Sequence, residues 1–105
     1  MLGYYVVFIT VPVEKGQELA EYIIQNKLGA CVNLVPEVSS TYWWKGGIER
    51  DRESLLVAKT SARKFEELLK GVKSIHPYTV PEIIALPITA GNEDYLKWID
   101  DSLGQ

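Results

Sequence analysis

Three prolines between residues 77 and 87 constrain this chain more tightly than any other feature. They punctuate the stretch Ile75-His76-Pro77-Tyr78-Thr79-Val80-Pro81-Glu82-Ile83-Ile84-Ala85-Leu86-Pro87-Ile88, which also holds the only histidine. Pro77 disfavours helical geometry at His76, so a helix arriving from upstream has to end there. Pro81 sets a second turn before the apolar run Ile83–Leu86. Pro87 cannot donate to a sheet ladder, which predicts that this run ends at an edge or a bulge. The outcome is a short, stiff, polar corner carrying His76, Tyr78 and Glu82.

The remaining sequence reads as one soluble domain spanning residues 1–105. Hydrophobic residues make up 47% and charged residues 24% of the chain, ordinary values for a globular protein. A formal net charge of −3 without a basic block argues against nucleic acid or an anionic membrane as partner. No apolar run reaches the roughly 20 residues of a membrane span. Met1-Leu2-Gly3-Tyr4-Tyr5 carries no leader pattern. A lone cysteine, Cys31, fits a reducing compartment, so the expected location is cytoplasmic.

Tyr4–Val11 is aromatic and β-branched and stops at Pro12, predicting a strand. Because the run is continuous, burial on both faces is expected. Leu19, Ala20, Ile23, Ile24 and Leu28 recur at helical spacing, with Gly29 as the expected C-terminal cap. Ala30–Val35 begins a second strand that Pro36 should interrupt, and strand character resumes at Ser39–Lys45. Gly46-Gly47 predicts a hairpin tip. Its return limb alternates Glu49, Asp51 and Glu53 on one face with Arg50 and Arg52 on the other, then enters Leu55–Ala58. Such a hairpin is longer than the usual strand of about 5–6 residues and should project from the sheet. Ser61 is placed to cap a second helix with Phe65, Leu68, Leu69, Val72 and Ile75 as its stripe. After the run Ile83–Leu86, Asn92 is placed to cap a third helix bearing Tyr95, Leu96, Trp98, Ile99 and Leu103.

The order is β-α-β-β-α-β plus a terminal helix, which predicts an α+β, ferredoxin-like sandwich with a long hairpin between its second and third strands. Both main helices then cover one face of the sheet. The other face is also apolar, and one terminal helix is a small lid for it. The projecting aromatic hairpin adds unpaired edges. Association of identical copies removes both problems, so a homo-oligomer is expected.

For chemistry, Cys31 is a soft ligand type and His76 the commonest metal-binding side chain, a pair suited to copper or zinc. Equally, Cys31 reads as a small buried hydrophobe and His76 as a helix-end residue bonding a carbonyl. The row Glu49, Asp51, Glu53 offers oxygen ligands for a hard cation, but interleaved arginines favour a solvated or bridging strand. Trp43 and Trp44 suit interface packing. Cys31 and His76 are the only Cys–His pair, and no nucleophile fingerprint surrounds either, so the chain is read as a non-enzyme. An RNA-binding reading of the same element order fails at the third strand, Glu53–Thr60, which lacks the required aromatic motif.

With these residues in place, the sequence resembles the CutA divalent-cation-tolerance family. The resemblance rests on Ala30-Cys31-Val32-Asn33, Tyr42-Trp43-Trp44-Lys45-Gly46, Leu56-Val57-Ala58-Lys59-Thr60, His76-Pro77-Tyr78-Thr79-Val80-Pro81-Glu82-Ile83, and Gly91-Asn92 with Tyr95-Leu96-Lys97-Trp98-Ile99. It implies a cytoplasmic homotrimer of ferredoxin-like subunits involved in the response to metal ions, with copper or another divalent metal as its ion. Carried across residue by residue, the implied metal ligands are His76 and Cys31. Some members have a further cysteine in the first strand, where this chain has Ile9, Thr10 and Val11. The family's architecture is also similar to that of PII-type signalling trimers, which implies an alternative. Here an intersubunit cleft near Trp44, Lys59, His76, Tyr78 and Glu82 binds a small anion or metabolite, with Lys59 and His76 positive and Tyr78 and Trp44 as walls.

Overall fold

In a computed structural model, which describes residues 3–104, the chain forms a four-stranded antiparallel sheet with three α-helices. Met1 and Leu2, where the sequence was read for a leader, lie outside the described residues. The strands are β1 (Tyr4–Pro12), β2 (Cys31–Trp44), β3 (Gly47–Ser61) and β4 (Ile83–Pro87). The helices are α1 (Gly16–Gln25), α2 (Phe65–Ile75) and α3 (Glu93–Ser102), with short 3-10 turns at Val13–Lys15 and Ala62–Lys64. Strand order is β2-β3-β1-β4, so β2 and β4 are the edges. Pro87 closes an edge strand, as its missing N–H requires.

One face of the sheet carries Val7, Ile9, Val11, Leu56 and Ala58, and α1 and α2 cover it with Leu19, Ala20, Ile23, Leu68 and Val72. Gly16 lets α1 start directly on the sheet, because a Cβ there would lie 2.8 Å from Ser54 Oγ. The opposite face is different. β1 alternates buried and half-buried residues rather than burying both faces, because α3, the only helix above its second face among the described residues, reaches one end of it. Tyr4 Oη donates to Asp100 of α3 at 2.6 Å, and Ile99 and Leu103 are buried beneath. Beyond α3, Ile84 and Leu86 remain 51% and 48% exposed.

Local signals account for most boundaries. Ser61 Oγ accepts from Lys64 N at 3.2 Å, capping the 3-10 turn that leads into α2 rather than α2 itself, and Asn92 Oδ1 accepts from Asp94 N at 3.0 Å, capping α3 as predicted. α1 ends earlier than Gly29, at Asn26, where Lys27 (φ 58°) takes the left-handed conformation instead. β2 is one continuous strand and not two. Pro36 is absorbed in a bulge between Val35 and Val38, held by a 2.7 Å hydrogen bond from Ser54 Oγ to Pro36 O. The hairpin turns at Lys45-Gly46 (φ 50° and 80°), while Gly47 already pairs with Trp44. Two consecutive positive-φ residues match the twist of the flanking strands. β1 stops pairing with β3 at Pro12–Glu53, so the β2–β3 hairpin extends beyond the sheet.

Candidate functional site

The proline corner joins α2 to β4 and is built around His76. This residue caps α2 through its backbone N–H, which donates to Val72 O at 2.9 Å. The residue is 9% exposed. Nε2 lies 2.8 Å from Thr10 O, and Nδ1 accepts from Tyr78 N at 3.1 Å. A carbonyl can only accept and an amide N–H can only donate, so the imidazole is held with its proton on Nε2. Thr10 follows Ile9, the last residue of β1 that β4 pairs with. The imidazole therefore satisfies a strand carbonyl that β4 does not reach.

From this anchor the corner crosses to the open face of the sheet. Tyr78 stacks at a tilt on His76, ring centroids 4.8 Å apart. Its Oη donates to Glu53 Oε2 at 2.7 Å. Glu53 is only 6% exposed. Burial, and then the hydrogen bond to Glu53, push the Tyr78 phenol well above its ordinary value. Further along the hairpin Tyr42 donates to Asp51, and that bond raises the Tyr42 phenol to about 12. Both tyrosines are thereby kept as donors to carboxylates.

Hairpin and corner enclose a cavity of ≈ 700 Å³, within the size range of small-molecule sites. The hairpin supplies Ser40, Tyr42 and Trp44, the sheet supplies Thr10 and Glu53, and the corner supplies Tyr78, Val80 and Glu82. Of the residues expected at a cleft between subunits, one chain by itself brings Trp44, Tyr78 and Glu82 to this cavity, and the His76 ring packs against Tyr78. Lys59 of the same chain lies elsewhere. It lies six residues along β3 from Glu53, about 20 Å at the usual strand rise, and donates to Asn33 and to Val57 O. Thr10, Tyr42 and Val80 complete the site without having been singled out as ligand residues. Only the alternation that put Glu53 with Asp51 and Glu49 hinted at its floor.

The ligand pair suggested for a metal is also separated. Cys31 pairs with Lys59, which pairs with Val6, whereas His76 contacts β1 at Thr10. Four residues of strand separate those levels, about 13 Å, and β3 lies between. Metal–ligand bonds are about 2.0–2.3 Å, so one chain cannot place both side chains on one ion. Both imidazole nitrogens are already engaged. No group of three or more His, Cys, Asp or Glu side chains suited to a metal ion occurs among the described residues. The residues of a single chain therefore do not fit a bound copper or zinc at Cys31 and His76. Instead the Cys31 thiol sits beside Tyr95, whose phenol is raised by burial first and then by that thiol. No helix is long and apolar enough to cross a membrane, among the described residues.

Comparison with known proteins sets these features in a family. The family model described as "CutA1 divalent ion tolerance protein" matches residues 5–102. A Thermus thermophilus protein named "Divalent-cation tolerance protein CutA" is 47% identical over 100 residues, covering 94% of this chain and 97% of its own. A rice relative, "Protein CutA 1, chloroplastic", is 50% identical over 98 residues, covering 92% of this chain and 55% of its own. The chain thus spans about half the length of the plant and mammalian relatives it matches, 52–55% of several of them. Among solved structures, rice CutA1 superposes with a TM-score of 0.92 at 48% identity, covering 95% of this chain and 93% of that one. The matched region contains β1 to α3 almost entirely, including the corner, the hairpin and the cavity between them, and the chain belongs to the CutA1 divalent-ion-tolerance family.

Proposed function

We propose that this chain works as a homotrimeric, ferredoxin-like divalent-cation tolerance protein whose working site is the cavity between hairpin and corner. In this reading it is a binding protein of the cytoplasm and not an enzyme. The observation that carries it is the convergence of Trp44, Tyr78 and Glu82 on one cavity, floored by the buried Glu53. Self-association is supported by the half of the sheet that α3 leaves open, with Ile84 and Leu86 about half exposed, and by Trp43 at 73% exposure on the hairpin. The family resemblance supplies the number three, and the PII-like arrangement of clefts between subunits supports a small ligand as the signal.

A direct role for Cys31 and His76 as shared copper ligands has less support, because their separation and the engaged imidazole argue against it. Metal tolerance is then a consequence of what the trimer binds or holds. Sedimentation equilibrium at micromolar concentration tests the assembly. Three times the 11.8 kDa chain mass is expected, and a monomeric mass refutes it.

A further inference from the structure

We infer that the imidazole of His76 is a proton-operated latch, and that a second proton on it releases the corner while α2 and the sheet stay folded. The inference rests on contacts made inside one chain and not on what the cavity binds. At 9% exposure in the chain alone, His76 leaves little surface for a neighbouring copy to reach. Its two nitrogens have opposite duties. Nε2 carries a proton and donates to Thr10 O, whereas Nδ1 must stay bare to accept from Tyr78 N. An imidazolium donates from both nitrogens. A proton on Nδ1 then faces the Tyr78 N–H, donor against donor, at a place with little access to water.

Little else ties the corner down. Among the described residues, the hydrogen bonds that hold residues 77–81 run from Tyr78 N to His76 and from Tyr78 Oη to Glu53. Both depend on Tyr78, whose ring also packs on the imidazole. Pro77 and Pro81 restrict the backbone on either side, so the segment between them moves as one piece. The groups around the ring come from three elements besides the corner. His76 is the C-terminal cap of α2, and a helix C-terminus attracts a cation, with Lys73 in that last turn as the opposing charge. β1 presents the uncharged Thr10 carbonyl. From β3, the acid behind Tyr78 is Glu53, with Asp51 and Tyr42 farther along the hairpin. Tyr78, Val80 and Glu82 line the cavity, so release of the corner opens one of its walls.

NMR of the isotope-labelled full chain from about pH 8 to pH 5, with EDTA present throughout, tests the inference over the range where histidine changes charge. His76 is the only histidine, so its ring nitrogens are read without overlap. At the alkaline end the ring should carry its proton on Nε2 alone. As the ring takes a second proton, the Tyr78 amide should shift with the same midpoint. It should also lose at least about tenfold of its exchange protection, the scale of one hydrogen bond. Amides of Val7 and Ile9 in the core should keep theirs. His76→Gln cannot titrate and should leave Tyr78 indifferent to pH; should that variant fail to fold, the wild-type midpoints decide. A doubly protonated ring with Tyr78 still protected overturns the inference, as does a ring that takes no second proton by pH 5. Protection lost at Tyr78 in step with Val7 and Ile9 means global unfolding and overturns it too. A loss that persists in folded His76→Gln assigns the release to an acid, Glu53 first, and removes the latch from His76.

Discussion

Removing one hydroxyl, in Tyr78→Phe, isolates the bond on which the corner depends. The ring still packs on His76, and only the 2.7 Å donation to Glu53 is lost. A hydrogen bond to a charged group contributes about 1.5–3 kcal/mol, and a buried acceptor left short of a donor adds its own desolvation cost. Glu53 is 6% exposed, but Tyr78 is half-buried, so water can partly replace the hydroxyl from the cavity side. The lower part of the range applies, a loss of about 1.5–2 kcal/mol. Denaturant unfolding followed by tryptophan fluorescence, at equal protein concentration because assembly contributes to stability, reads this as a lower midpoint with unchanged slope. The Glu53→Gln background supplies the control. There the same substitution should cost about 1 kcal/mol less, the coupling expected of contacting partners. A loss below about 0.5 kcal/mol, the range of neutral surface changes, or an equal loss in both backgrounds, refutes the claim that this bond holds the corner to the sheet.

Three further outcomes follow from the same structure. Tyr4, Tyr42, Tyr78 and Tyr95 all have phenols raised above the ordinary tyrosine value of about 10. The unfolded chain therefore loses these protons first, so stability present below pH 10 falls as pH rises towards the folded values, about 12 for Tyr42. Unfolding midpoints between pH 9 and 12 check this, and Tyr78→Phe should flatten the fall; a flat wild-type profile contradicts it. Gly46→Ala, at φ 80° with no atom within 4 Å, should cost about 1–2 kcal/mol through backbone strain alone. Gly47→Ala should stay within about 0.5 kcal/mol, and equal losses at both would place the turn wrongly. Leu56→Ala, fully buried opposite Ile9, should cost about 2–5 kcal/mol by thermal or denaturant unfolding, and a loss below 1 would mean the core lies elsewhere.

What was legible in the sequence was local. Ser61, Asn92 and the prolines act through their own backbone or the next turn, so the cap of α3, the capped turn before α2 and the end of α2 could be read directly, and Pro87 narrowed β4 to an edge or a bulge. The misreadings arose where a neighbour decides. Pro36 does not break β2, because an edge strand bulges around it and Ser54 of β3 captures its carbonyl. Gly29 is not the cap of α1, since Lys27 adopts the left-handed turn two residues earlier. Strand alternation correctly put Glu53 with Asp51, yet it could not show that Tyr78, 25 residues away, closes over it. Lys59 was expected at a cleft between subunits and Cys31 beside His76 as a metal ligand, and within one chain neither lies at the corner. The strand register that places them at the far end of the sheet depends on pairings a single sequence does not display.

The central claim is that the imidazole of His76 builds the corner and does not share a metal with Cys31. Calorimetric titration with Cu(II) and Zn(II) of the wild-type chain, Cys31→Ser and His76→Gln tests it most directly, each under conditions where circular dichroism reports an intact fold. The account predicts affinities that agree within about threefold across the three proteins, because neither substitution removes a member of a shared ligand set. A tight site of one ion per chain, lost in both variants, would contradict it.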